Sequence, residues 1–329
     1  MNTLKDYWPQ LKIPELYRRM QEVKYVTLQL CSLTYHKKQN VNILVTGANG
    51  QLGSEIGRLA GDYKDHAFRF TDIEDLDITD YHLLATYFSA NRFDCIINCA
   101  AYTAVDKAEE ERDLAMLVNA TAAGYLAEFA KKMSALFIHI STDYVFDGKK
   151  NRPYNEKDNP KPLSYYGLTK LRGEETVIRT AGRGMLFRTS WLYSSYGKNF
   201  VRTILDHGMR GDSLKVIDDQ TGTPTYARDL AAVVLQCIDR YDKKHMTIYH
   251  YSNEGLASWY DFAMAALKIA GISCEIIPVS TAAYGSKTKR PYYSVLDKEK
   301  IKHDFGISIP YWRDSLETCI KEILGNKMS

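Results

Sequence analysis

At 329 residues the chain is long enough to bury a full core, as one large domain or two small ones. Its 45% apolar and 25% charged content is that of an ordinary globular chain, and a formal net charge of +3 gives no basis for nucleic-acid or membrane-surface binding. No apolar run reaches the length of a membrane span, the N-terminus lacks a signal-peptide core, and six scattered cysteines fit neither a zinc spacing nor a disulfide framework, so a reducing cytoplasm is expected.

Residues 1–40 stand apart as an N-terminal extension. Glu15 to Val23 reads as a short helix, Tyr25 to Leu33 alternates weakly, and His36 to Asn40 resembles a linker. The segment fits a packed appendage, a contact element, a disordered arm or an over-extended start, and the residues do not choose among these.

The run Ile43-Leu44-Val45-Thr46-Gly47-Ala48-Asn49-Gly50-Gln51-Leu52-Gly53 follows. A β-branched strand passes through glycines spaced G-x-x-G-x-x-G into a helical pattern. Unpaired N–H groups at such a helix start can hold a pyrophosphate, and glycines let the backbone approach it. Strand and helix then alternate: Ala67 to Thr71, ending at Asp72; helix Tyr81 to Ala90; strand Cys95 to Cys99; helix Leu114 to Lys132; strand Leu136 to Ile140; helix Leu168 to Thr180; strand Met185 to Arg188. This rhythm predicts an α/β fold, a doubly wound parallel sheet of Rossmann type.

Past Arg188 the rhythm loosens. Tyr193 to Asn199, Ile217 to Thr225 and Thr281 to Pro291 read as loops. Leu230 to Ile238, Trp259 to Ala270 and Leu316 to Leu324 read as helices, and Ile248 to Tyr251 as a strand. The expected organisation is a cofactor domain over 41–190, its sheet completed by parts of 226–252, with 191–329 forming mostly a smaller substrate-binding region over the carboxyl edge of the sheet.

Tyr166 and Lys170 lie four apart at a helix start, on one face. An ammonium beside a phenol stabilises the phenolate, so the pair can exchange a proton with a carbonyl or alcohol oxygen; the competing reading is a solvated helix face. Ser141-Thr142 at a strand end adds hydroxyls that can orient that oxygen. His139, between Ile138 and Ile140, reads as a hydrogen-bonded structural histidine. Glu109-Glu110-Glu111 reads as the acidic first turn of a helix rather than a metal site.

Together these motifs resemble the extended short-chain dehydrogenase/reductase superfamily. Gly50-Gln51-Leu52-Gly53, Asn98 to Glu109, Ser141 to Gly148, Arg188 to Tyr193, Asn199-Phe200 and Asp219 to Thr225 narrow the resemblance to the dTDP-4-dehydrorhamnose reductase family, from about Asn42 to the C-terminus. The resemblance implies hydride transfer from NADPH or NADH to the C4 keto group of dTDP-4-dehydro-β-L-rhamnose. Tyr166 would donate the proton, Lys170 would bind the nicotinamide ribose and lower the Tyr166 pKa, and Thr142, ahead of Ser141, would bond the substrate oxygen.

By matching positions, Gly47, Asn49, Gly50, Gln51, Leu52 and Gly53 would surround the pyrophosphate. Asp77 and Ile78 would meet the adenine, although Asp77 lies beside candidate helix caps Thr79 and Asp80. Ala100, Ala101 and Thr103 would line the ribose and nicotinamide side, or simply form a tight turn. Asp72 at the end of the second strand points to a ribose contact and to NADH, against the family's leaning to NADPH. Asp143 joins Thr142 at the substrate. Trp191 fits a plane under the sugar or a core tryptophan equally. Asn199, Gln220 and Thr225 would bond sugar or nucleotide, and Arg290 has the donor fork for a diphosphate or is a solvated loop arginine.

Some members of the family hold magnesium between glutamates at a dimer contact. Glu55 fits the first position but Arg228 stands at the second, so no metal is expected. The expected partner is the nucleotide-sugar alone, with no nucleic acid and no membrane, and the chain a monomer or homodimer. Two other functions stay open. Another nucleotide-sugar reductase, epimerase or dehydratase is one, though Asp143 lacks the following Glu of a dehydratase. A nucleotide-binding regulatory subunit, like the methionine adenosyltransferase β subunit, is the other.

Overall fold

The computed structural model describes residues 40–325. The expectations for the N-terminal extension lie outside them. Six strands form one parallel sheet: β1 (Val41–Thr46), β2 (His66–Thr71), β3 (Cys95–Asn98), β4 (Leu136–Thr142), β5 (Gly184–Thr189) and, after four short strands, β10 (Met246–His250), in the order β10-β5-β4-β3-β1-β2. The chain enters at β1, winds out to β2, returns to β3 on the other side and continues outward. The β1/β3 boundary is therefore the point where strand order reverses, and the crevice above it is where such sheets bind ligands.

The sheet is buried on both faces by a period of two. Val41, Ile43 and Val45 pack with Ile97, Ile138 and Phe187 beneath Leu230 and Val234, while Leu44, Ile96 and Phe137 face Leu126, Phe129 and Leu84. The helices on these faces are α1 (Gln51–Leu59), α2 (Tyr81–Ala90), α3 (Arg112–Met116), α4 (Ala123–Lys132), α5 (Tyr165–Thr180) and, beyond α6 (Phe200–Arg210), α7 (Ala227–Arg240). Asp80 caps α2 by accepting from the N–H groups of His82 and Leu83, and Ser164 caps α5 through the N–H of Gly167.

The helix expected over Leu114 to Lys132 is broken into α3 and α4 by a π-helical segment, Leu117–Ala122. The acidic run before it differs from expectation as well. Glu111 sits at the N-cap position of α3, and the carboxylates of Glu109 and Glu111 accept from the Tyr165 N–H (2.8 Å) and the Tyr102 hydroxyl (2.6 Å). Glu109 closes a 3-10 turn (Lys107–Glu109) and ties it to α5, while Glu111 holds the loop after β3.

Past β5 the chain carries short paired strands, some within segments read as loops and others in stretches left unassigned. These are β6 (Leu192–Tyr193) with β9 (Thr225–Tyr226), β7 (Leu214–Ile217) with β12 (Ile276–Val279), and β8 (Thr221–Gly222) with β11 (Ala257–Ser258). Helices α6 and α10 (Glu299–Phe305) were not expected, and α9 (Thr281–Tyr284) opens the loop that runs to Pro291. A second core joins Val201 and Leu205 of α6, Phe262 and Ala266 of α8 (Trp259–Ala270), and Trp312, Leu316 and Ile320 of α11 (Trp312–Gly325). Among the described residues no helix is long and apolar enough to cross a membrane.

Candidate active site

The glycine loop leaves β1 at the reversal point. Gly47 has φ +68°, and a Cβ there would lie 2.5 Å from the Ala100 nitrogen, so only glycine lets the loop close onto the turn after β3. A Cβ on Gly53 would lie 2.3 Å from the Gly47 carbonyl oxygen, which draws the start of α1 against the loop. The result is a backbone cradle at a helix N-terminus, the form a pyrophosphate requires.

Asn98 fixes the floor of this cradle. Its side-chain oxygen accepts from Thr46 Oγ1 (2.9 Å) and the Ala100 N–H (3.1 Å), and its amide donates to His139 Nδ1 (3.2 Å). Burial holds His139 well below its ordinary pKa, so it is a neutral acceptor. Asn49 and Gly50 are exposed at the loop tip, Gln51 is half-buried, and Leu52 turns into the core.

Asp72 is engaged with protein. One oxygen accepts from the Asn49 N–H (2.7 Å) and the other from the Ile73 N–H (2.8 Å). Asp77 accepts from the N–H and hydroxyl of Thr79 (2.9 and 2.7 Å), while Asp80 takes the helix cap. Ile78 is buried among Leu76 and Leu84. Ala100 and Ala101 are half-buried beside the cradle and Thr103 is exposed.

The strand end and helix start bring Thr142, Asp143, Tyr166 and Lys170 together, all buried. The Thr142 hydroxyl acts on the Tyr166 phenol and donates to Asp143 Oδ1 (3.0 Å). The rings of Tyr144 and Tyr166 meet edge to face at 5.5 Å. Burial raises the Tyr166 pKa, with Asp143 adding to the effect and the Thr142 bond opposing it, so the phenol carries its proton.

Lys170 lies one turn beyond Tyr166 on α5. Its ammonium donates to the Ile140 carbonyl (2.7 Å), and burial pushes its pKa down to about 8 against the pull of Glu174. Burial also raises Asp143 to about 6, against the Ser294 and Thr142 hydroxyls. Cys99, just past β3, has its thiol pushed up to about 12 by burial.

Farther along the chain, Trp191 adopts φ +47° and stacks on Trp259 at 3.6 Å, and its ring leaves no room for a Cβ on Gly222 (2.5 Å). It is half-buried, not a sealed core residue. Gln220 links Trp259 Nε1 (3.2 Å) to Thr281 Oγ1 (3.0 Å). Arg290 donates to Asp106 (2.9 and 3.1 Å) and to Ser286, so it is paired rather than solvated.

Two residues are placed differently from the sequence expectation. Asn199 caps α6 through the Arg202 N–H, and its amide donates to Ser194 O (2.8 Å), which uses its polar atoms in the backbone. Thr225 is fully buried, with its hydroxyl unpartnered. Sequence reasoning missed Asn119, which grips both backbone polar groups of Tyr102 (2.9 and 3.0 Å) and Thr169 Oγ1 (3.0 Å). It also missed Glu174, one turn beyond Lys170. The i+4 spacing of Glu174 from Lys170 was the available signal.

Glu55 is fully buried and accepts from Ser194 Oγ (2.6 Å) and Arg228 Nε (3.0 Å). Among the described residues no cluster of three or more His, Cys, Asp or Glu is arranged to hold a metal ion.

A profile of the RmlD substrate binding domain matches residues 41–324. The chain is 39% identical over 280 residues to the spore coat polysaccharide biosynthesis protein SpsK of Bacillus subtilis, covering 85% of this chain and 97% of that protein. It is 37% identical over 298 residues to the dTDP-4-dehydrorhamnose reductase of Burkholderia thailandensis, covering 86% and 99%. The crystal structure of dTDP-4-dehydrorhamnose reductase from Bacillus anthracis in complex with NADP superposes with a TM-score of 0.82 at 36% identity, covering 86% of this chain and 99% of that one.

Proposed function

The chain belongs to the RmlD substrate binding domain family, and on that premise we propose that it is a dTDP-4-dehydrorhamnose reductase. It reduces the C4 keto group of dTDP-4-dehydro-β-L-rhamnose to the alcohol of dTDP-β-L-rhamnose. The observation that carries this reading is the buried Thr142–Tyr166 hydroxyl pair, with Lys170 one turn on, set beside a glycine cradle at the strand reversal.

When bound, NADPH supplies the hydride. Gly47, Asn49, Gly50, Gln51, Leu52 and Gly53 hold the pyrophosphate, Asp77 and Ile78 the adenine end, and Ala100, Ala101, Thr103 and Lys170 the nicotinamide ribose. NADPH is favoured over NADH because the relative of known structure carries NADP, and because Asp72 spends its carboxylate on Asn49 and Ile73.

Thr142, its hydroxyl turned from Asp143 to the substrate, donates to the C4 oxygen and fixes its direction. Tyr166, protonated by virtue of its burial, passes its proton to that oxygen as negative charge develops there. Lys170, charged below about pH 8, then stabilises the phenolate left behind. Trp191, stacked on Trp259, offers a flat apolar face to the sugar, and Gln220 and Asp143 add polar contacts. Arg290 takes the diphosphate when released from Asp106, while Asn199 and Thr225 act by shaping the loops.

In this reading 41–190 hold the cofactor, with part of 226–252 completing the sheet, and 191–329 mostly hold the sugar. The protein works in the cytoplasm as a monomer or homodimer. The unbridged thiols of Cys99, Cys237, Cys274 and Cys319 agree with a reducing compartment.

The test is turnover of enzymatically prepared dTDP-4-dehydrorhamnose with NADPH and with NADH, read by nicotinamide absorbance. Oxidation dependent on the sugar is expected, faster with NADPH. A protein that binds NADPH but oxidises neither cofactor would be a nucleotide-binding regulator instead.

A further inference from the structure

Beneath the reacting groups lies an ion pair that none of the roles above uses. Glu174 and Arg188 are almost wholly buried, with 2% and 3% of their side chains exposed. Arg188 Nε donates to Glu174 Oε1 (2.9 Å) and Nη2 to Oε2 (2.6 Å), a two-pronged pair. The Ser141 hydroxyl donates to the same carboxylate at 2.5 Å. On its far side Arg188 lies over the Phe146 ring (5.1 Å) and reaches His250 Nε2 (3.5 Å). His250 Nδ1 is 3.0 Å from the Tyr154 carbonyl, so Nδ1 carries the proton and Nε2 accepts. Burial and the neighbouring Arg188 hold His250 neutral, its pKa lowered to about 3.

This chain of bonds ends where the chemistry begins. Tyr166, Lys170 and Glu174 recur every four residues along α5, so they share a face. Lys170 binds the carbonyl of Ile140 and Glu174 the hydroxyl of Ser141. The next residue on β4 is Thr142. Two successive turns of α5 thus grip the two residues before the substrate-binding hydroxyl, and Arg188 ties that grip to β5.

We propose that Glu174, anchored by Arg188, is a positioning residue for the reduction: it fixes the end of β4 so that Thr142 stays in register with Tyr166, and it is the counter-charge that keeps Lys170 an ammonium. The proposal rests on the reductase reading above. Among the described residues Glu174 is the carboxylate that acts on Lys170. Cys99 beyond β3 is a thiol, His139 on β4 and Tyr166 on α5 are neutral, and Arg188 on β5 is a cation. A buried pair of this kind contributes little net stability over a well-packed apolar pair, which makes a role in the site the better reason for its presence.

The experiment compares wild type, Glu174→Gln, Glu174→Asp and the double variant Glu174→Gln/Arg188→Met. NADPH binding is followed by nicotinamide fluorescence from about pH 6 to about pH 10, and kcat/KM over the same range. Glu174→Gln should move the alkaline limb of both profiles down by about one pH unit, and lower kcat by roughly 10- to 100-fold as Thr142 loses register.

Glu174→Asp keeps the charge with a shorter reach. Its limb should stay at the wild-type position while kcat falls. The double variant leaves no unpaired buried charge, so it should fold even where the single one does not, and its limb should move with that of Glu174→Gln. Unchanged limbs in folded Glu174→Gln or the double variant, with kcat within about threefold of wild type, would overturn the proposal. A wild-type protein that neither binds NADPH nor turns over the sugar would overturn the reductase reading itself, and this proposal with it.

Discussion

Asp143 is held in a state that works against folding. Its ordinary value of 3.8 rises to about 6 because burial disfavours the carboxylate more than the Thr142 and Ser294 hydroxyls favour it. Between those values the unfolded chain releases a proton that the folded chain keeps. Stability therefore falls as pH rises through that window, and the loss is complete above about pH 6. Asp143→Asn should raise Tm, by the equivalent of roughly 3 kcal/mol, when scanned near pH 8, with little change near pH 4, while slowing turnover. An equal Tm change at both pH values would contradict the assignment. Tyr166→Phe tests the proton donor directly. Its ring keeps the edge contact with Tyr144, so NADPH affinity should hold while kcat drops by about 10²–10⁴-fold, the usual worth of a general acid.

The elements that build the site differ in how openly the chain displays them. β1, α2 and α8 carry local signals: a β-branched run into glycines, an aspartate cap, and the Ser258–Asp261 capping box. The paired strands past β5 are two to four residues long and owe their form to partners far along the chain, so their residues read as loop or stay unassigned. The π-helical segment Leu117–Ala122 is hidden because its alanine-rich pattern matches an α-helix equally well. It is also the place where Asn119 closes the loop after β3. Gly173 allows the approach, since a Cβ there would lie 2.2 Å from the Asn119 carbonyl oxygen. The shared face of Tyr166 and Lys170 was legible for a related reason: a helix face repeats about every four residues whatever surrounds it. What the spacing did not reveal is that Lys170 bonds to Ile140 rather than to the phenol. Asn119→Ala would strip partners from both polar groups of the Tyr102 backbone. A loss of about 2–3 kcal/mol in urea unfolding is expected, with KM for NADPH raised more than kcat is lowered. Unchanged cofactor KM would place Asn119 in stability alone.

Across the whole molecule, one arginine joins regions that the sheet does not. Glu55 on the cofactor helix α1 is sealed from solvent, between Arg228 on α7 and Ser194 in the loop before α6. Arg228 also binds both oxygens of Glu322 on α11, to which Arg58 and the Tyr226 hydroxyl donate at 3.0 and 3.1 Å. The guanidinium therefore bridges two carboxylates from opposite ends of the chain, with Arg58 supplying the second positive charge. Removing it leaves Glu55 charged and buried with only a serine hydroxyl for company. Arg228→Ala should cost about 3–5 kcal/mol of stability, the penalty for orphaning a buried ion, and Glu55→Gln/Arg228→Met much less. The Ser194 segment leads to the Asn199 cap of α6, so the single variant should also weaken the sugar-binding side while the glycine cradle stays formed. Since the arginine supplies the positive charge, exhaustive treatment with a chelator should leave both Tm and turnover of the wild-type protein unchanged. A chelator-induced drop in Tm that magnesium restores would mean that a metal, and not Arg228, balances these glutamates in solution.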